Sequence, residues 1–254
     1  MTPSGSVDGR AHADWLTSSD ARLNAVKFFV DLGYAKLLPP RRNRKERGGP
    51  SNDVYGQYFL KRISCFVSLE VLERPLPKPT TEEYVDARLL EALVEAKLAL
   101  ELLNRGIVRN AAGKAFQAWK ALLAALLRLE LDKLLQRAKT EEEKKWLTEK
   151  AVPRVPTARM KALSQMLEEA GHQGISFATD KALDLHEYQY HGPDPDMALS
   201  KYRTREEAAK DVVLLIAELA RRVEALKARI KWSGELEEAS NALMRELDRS
   251  GGRG

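Results

Sequence analysis

The stretch that decides the fold is 109–138, RNAAGKAFQAWKALLAALLRLELDKLLQRA. Within it Ala112, Phe116, Trp119, Leu122, Leu123, Leu126, Leu127, Leu131 and Leu134 return at three- and four-residue steps, the period of one helix face. The spacing predicts one continuous helix about 45 Å long at 1.5 Å per residue. Its apolar stripe is wide enough to contact two neighbours, and the Ala-rich part, 111–125, permits close backbone approach.

Upstream, Leu89, Leu93, Ala96, Leu100 and Leu103 form the stripe of a preceding helix. Thr80 and Glu83 have the spacing of a capping box that opens it, and Gly106 stops it. The two helices are read as an antiparallel hairpin. Downstream, Thr140 with Glu143 starts a short helix through Trp146 and Leu147, which Pro153 and Pro156 interrupt. A helix over 157–170 turns Met160, Leu163, Met166 and Leu167 inward and stops at Gly171. Another, 175–190, carries Phe177, Ala178, Ala182, Leu185 and Tyr188, and the Gly192-Pro193-Asp194-Pro195-Asp196 loop ends it.

Thr204 with Glu207 is a further capping box. The helix behind it places Ala208, Val212, Leu215, Leu219, Val223, Leu226 and Ile230 close to a heptad seam, either a bundle helix or a dimer element. Ser233-Gly234 breaks it, and 235–248 adds an amphipathic turn or two before a frayed end. The expectation is an all-α protein, an up-and-down helical bundle with a long central helical hairpin and no internal repeat.

The N-terminal part reads differently. Residues 1–14 are a small, polar leader, and 20–38 suggest a short helix. The linker 39–53 is rich in Pro, Gly and basic residues. Residues 53–68 mix aromatic and β-branched side chains and are read as helix, with Pro75, Pro77 and Pro79 as an extended spacer. Four segments follow: 1–38, a leader and short helix; 39–79, the basic linker and an appendage; 80–231, the bundle; and 232–254, a terminal helix and tail.

Composition supports this division. The chain has 254 residues, 44% apolar and 31% charged, and its 37 Leu and 32 Ala favour helix. The net charge is only +5, so its placement matters more than its size. Lys36, Arg41, Arg42, Arg44, Lys45 and Arg47 face only Glu46 between 36 and 50, which leaves the rest nearly neutral. The lone Cys65 excludes an intrachain disulfide or a thiolate metal cluster and fits a reducing interior. No apolar run reaches the roughly 18 residues of a membrane helix, and no secretory leader is apparent. The chain is read as cytoplasmic, with no membrane partner. Asn and Gln together number only 12, a balance compatible with a thermophile.

Three segments carry a family resemblance: YVDARLLEAL at 84–93, NRGIVRNAAGKAFQAWKALLAAL at 104–126 and ALDLHEYQYHG at 182–192. Through them, 73–228 resembles the archaeal paralogous-repeat proteins related to the HEPN clan of helical nucleotide-binding domains. The resemblance implies a compact bundle, often dimeric, from a thermophilic archaeon. HEPN relatives of the RNase type have an Arg, a polar residue and a His four to six positions on, all on one helix. Here Arg109-Asn110 begins similarly, but 111–119 contain no His, and Lys114 in that window is not equated with the missing base.

The residues themselves leave several readings open. Arg109, Asn110 and Lys114 stand near a helix N-terminus, where free backbone donors can hold a phosphate; they serve equally as caps and cross-hairpin bonds. His186 and His191 flank Tyr188 and Tyr190 at a helix end, followed by Asp194 and Asp196. Imidazoles there can contact RNA, act as acid and base, ligate a metal, or simply favour the helix dipole. Phe116 and Trp119 are core on their spacing. Arg41, Arg42, Arg44, Lys45 and Arg47 suit sequence-independent phosphate contacts, with Tyr55 and Tyr58 available for stacking, or form a solvated loop.

The sequence reading is therefore a HEPN-like module, non-catalytic, that binds nucleotide, RNA or a protein partner and assembles as a homodimer. No catalytic residue, metal site or cofactor is assigned. The alternatives are a metal-independent RNase-like enzyme and a purely protein-interacting oligomeric subunit.

Overall fold

The computed structural model describes residues 70–251. The expected helices over 20–38 and 53–68, the linker with Arg41, Arg42, Arg44, Lys45 and Arg47, Tyr55, Tyr58, Cys65 and residues 252–254 lie outside them. The described residues are helices joined by turns, with no strand among them.

Helix α1 spans Glu83–Asn104 and α2 spans Val108–Leu129. Each has 22 residues and so runs about 33 Å. Gly106, at φ +74°, makes the turn between them. Its N–H bonds to the Leu103 carbonyl at 2.8 Å, and that of Ile107 to Leu102 at 3.0 Å, the paired bonds that close a helix on a left-handed glycine. The capping box expected at Thr80 does not form. Thr81 Oγ1 donates to the Lys78 carbonyl in a turn, and α1 begins at Glu83 without a side-chain cap.

Helix α2 lies against α1, α6 (Ile175–His191) and α7 (Arg205–Leu226) along its length. Between Ala111 and Leu127 every residue is buried except Lys114, Gln117 and Lys120. The sequence predicts one helix through Ala138, but the helix breaks at Glu130 and resumes as α3, Leu131–Arg137. The Glu130 side chain is only 2% exposed, and it is met by Lys133 at 2.5 Å, Arg229 at 2.5 Å and His172 at 3.0 Å. A buried carboxylate needs such partners, and they come from three separate segments.

After α3 the chain makes α4, Glu141–Trp146, capped by Thr140, whose side chain accepts from the Glu143 N–H. Pro153 has no N–H to extend the ladder. The backbone widens to a π turn over Leu147–Ala151, makes one helical turn, Val152–Arg154, and passes through the left-handed region at Val155, φ +41°. Helix α5, Met160–Glu169, buries Met160, Leu163 and Leu167 and ends at Gly171.

In α6 the inner face is Ile175, Thr179, Ala182 and Leu185. That phase puts Phe177 at the surface, where it is 79% exposed. Helix α7 opens with the Thr204–Glu207 capping box, both bonds present. Its seam residues Ala208, Val212, Leu215, Leu219, Val223 and Leu226 are all buried in the chain's own core, so they offer no seam to a second copy. Ile230 lies beyond the helix end. Helix α8, Gly234–Gly251, is 18 residues long, far more than the expected turn or two, and packs Leu236 and Leu243 against the bundle.

Candidate functional site

The one open side of α2 is polar. Asn110, Lys114, Gln117 and Lys120 follow one another at steps of four, three and three residues. Helix α1 borders this stripe with Arg88, Glu91 and Glu95; α6 borders it with His186, Gln189 and Tyr190.

Arg109 sits at the start of α2 but does not face an open anion site. Its Nε donates to the Gln189 carbonyl at 3.0 Å, and its terminal nitrogen donates to the Tyr190 carbonyl. These are among the last carbonyls of α6, which an intrahelical N–H does not satisfy and where partial negative charge gathers. Arg109 is thus a cap, though on α6 rather than on the preceding turn. Gly192, at φ +73°, ends α6 there; a Cβ on it would come 3.5 Å from Arg109 Cδ.

Lys114 points to the other flank, where its Nζ lies 3.0 Å from one Glu95 oxygen and 3.1 Å from the other. Burial pushes the Glu95 carboxyl above its ordinary value, and Lys114 only partly offsets this. Asn110 is exposed.

His186 stacks on Phe116, ring centroids 4.0 Å apart, and Tyr190 stands edge-on to His186 at 5.3 Å. The Gln189 amide nitrogen reaches the imidazole Nδ1. Burial, then the positive field of Lys120, holds the His186 pKa below the usual imidazole value. The ring is therefore mainly neutral at pH 7. Gln189 also folds over Gly113: a Cβ there would lie 2.4 Å from Gln189 Oε1 and would make that side-chain end shift.

The structure thus brings Arg109, His186 and Tyr190 together and turns Lys114 away from them. His191 is exposed at the end of α6. Asp194 takes backbone N–H bonds from Leu199 at 2.6 Å and from Ser200 and Asp196 at 3.2 Å, which lower its pKa. That carboxylate shapes its own loop. Among the described residues, no group of three or more His, Cys, Asp or Glu is placed to hold a metal. Among them also, no helix is long and apolar enough to cross a membrane.

The motif quoted from 104–126 and the piece from 182–192 therefore meet across α2 and α6. This stretch lies within 87–213, which matches the archaeal PaREP1/PaREP8 family. The chain belongs to that family. The match covers half of the chain and takes in most of α1 and all of α2 and α6. No curated protein and no solved structure matches it.

Sequence reasoning missed Arg88, Gln117, Lys120, Arg154 and Gln189. For Gln117 and Lys120 a signal was available: with Lys114 they are the only polar residues between Ala111 and Leu127, evenly stepped.

Proposed function

We propose that this PaREP1/PaREP8 chain is a non-catalytic, HEPN-like module that binds single-stranded RNA as a homodimer. The observation that supports it most is the ring series from Phe116 through His186 to Tyr190. It runs from the core to a side chain that is 64% exposed. A base stacking on Tyr190 would extend that series, and such contacts are sequence-tolerant. Basic Arg41, Arg42, Arg44, Lys45 and Arg47 would supply sequence-independent phosphate contacts.

The engagement of the polar groups supports binding over cleavage. Arg109 is held by two carbonyls, Lys114 by Glu95, and His186 by Gln189. An RNase-like reaction would need these groups free to meet a phosphate and exchange protons. The homodimer rests on the resemblance and would use a surface other than the α7 seam. A cytoplasmic, thermophilic setting completes the reading, supported by the lone Cys and by the scarcity of Asn and Gln.

Filter binding of the full chain to mixed single-stranded RNA across a salt series tests this, with the RNA checked on a gel. Affinity is expected to fall with salt and with neutralisation of the 41–47 charges. Tyr190→Ala is expected to weaken it about tenfold, the effect of losing one stacked base. The RNA is expected to remain intact. Absence of binding at low salt removes the RNA reading, and cleavage that survives repurification restores the enzyme.

A further inference from the structure

At the α1 end of the polar stripe lies a small pocket of about 140 Å³. Its walls are Arg88, Glu91, Gln117, Lys120 and Arg154, over a floor that includes Ala121 and Ala124. Two of the five polar residues neutralise each other: Arg88 donates to Glu91 at 2.8 Å. Arg88 is otherwise occupied, with Nε on the Tyr84 hydroxyl at 2.9 Å and its remaining nitrogen on the Pro153 carbonyl at 2.7 Å. Lys120 and Arg154 have no hydrogen bond or ion pair among the described residues.

The pocket therefore holds two positive charges more than it balances. Lys120 is half-buried beside Arg88. Burial and then the repulsion of Arg88 depress its pKa, against a weaker pull from Glu91. A cation next to another cation, whose one neighbouring carboxylate is already paired, is destabilised until a further anion arrives. The segment that carries Arg154 is itself unusual. A π turn precedes it and a left-handed, fully buried Val155 follows, a rare conformation for a β-branched residue. That backbone also presents the Val152 and Pro153 carbonyls to Tyr84 and Arg88, which fixes the pocket's rim.

We propose that this pocket binds a phosphomonoester, with Lys120 and Arg154 as the charge partners of the phosphoryl oxygens and Gln117 as a neutral donor. The charge argues for this class: a phosphomonoester carries about −1.5 to −2 at pH 7, matching two unneutralised cations, whereas a phosphodiester carries one charge. The small volume admits a phosphoryl group and leaves the rest of the ligand along the polar stripe. The site uses none of the residues on which the RNA reading rests, so each stands or falls separately.

Calorimetric titration of the full chain tests it, with inorganic phosphate and dimethyl phosphate as probes. Phosphate is expected to bind, and Lys120→Met and Arg154→Ala are each expected to weaken it at least tenfold. Neither side chain has a described partner to lose, and circular dichroism verifies that both variants fold. Dimethyl phosphate is expected to bind at least tenfold more weakly than phosphate, and Tyr190→Ala to leave phosphate affinity unchanged. Failure of phosphate to bind at millimolar concentration overturns the site, as does undiminished binding in either charge variant. Equal affinity for dimethyl phosphate overturns the assignment to a phosphomonoester.

Discussion

Trp119→Ala is expected to remove most of the protein's stability. Trp119 is the largest side chain in the core, 0% exposed, and its indole N–H donates to the buried Thr179 hydroxyl at 3.0 Å. The Arg222 guanidinium lies over its ring at 6.0 Å from the centroid and also ties α7 to the 171–174 turn through the Gln173 carbonyl. Truncation empties the meeting place of α2, α6 and α7. Such a change costs about 3–5 kcal/mol from cavity formation. The orphaned Thr179 hydroxyl adds about 1–3 kcal/mol. Against a usual total of about 5–15 kcal/mol, that unfolds the chain or leaves it marginal. Urea titration measures it, and Trp119→Phe, which keeps the aromatic volume but loses the N–H, should fall between. A midpoint shifted no more by Ala than by Phe would mean that the core closes over the missing ring.

Glu130→Gln is expected to be the second largest effect, and it should depend on pH. Burial alone would raise the Glu130 pKa, but hydrogen bonds from Lys133, Arg229 and His172 outweigh it and bring the value down to about 2. A carboxylate whose folded pKa lies below its unfolded one releases protons on folding. Its contribution is complete above the ordinary value near 4.5 and is lost as pH falls toward about 2. Near neutral pH the substitution should cost about 2 kcal/mol or more, because it strips the charge from three partners at once. Between pH 4.5 and 2 the gap between wild type and variant should narrow. Other carboxyls, such as Asp86 and Asp184, are shifted upward by burial, so the difference between the two proteins isolates Glu130. A gap that stayed constant down to pH 2 would show that the folded and unfolded pKa values of Glu130 are the same, so that its partners do not favour the ionised form.

Periodicity made most of the helices legible. The stripes of α1, α2, α5 and α7, the stops at Gly106 and Gly171, and the capping box at Thr204 follow from local spacing, and local backbone chemistry controls them. The break at Glu130 was not legible in the spacing, and neither were the partners of its buried carboxylate, since His172 and Arg229 lie far along the chain. The outward turn of Phe177 was not legible either: Thr179 belongs to the inner face of α6, where its hydroxyl meets Trp119, a partner 60 residues away. Thr80 shows the converse, a correct spacing defeated by a turn closed at Thr81. At the candidate site, Arg109, His186 and Tyr190 could be singled out by type but not joined. Lys120 was visible within a helix pattern that gave it no role, and Arg154 reaches the pocket only by way of the unusual backbone around Pro153.

The near-complete enclosure of α2 also sets how the protein opens. An amide hydrogen exchanges with solvent only when its helix is exposed, and a helix packed on several neighbours cannot open alone. The amides of 111–127 should therefore exchange last and together, at the rate of whole-molecule unfolding. The segment 141–150, where most side chains already face water, should exchange early through local openings. Native-state hydrogen exchange would show the bundle as a slow central rod inside a jacket that loosens piece by piece.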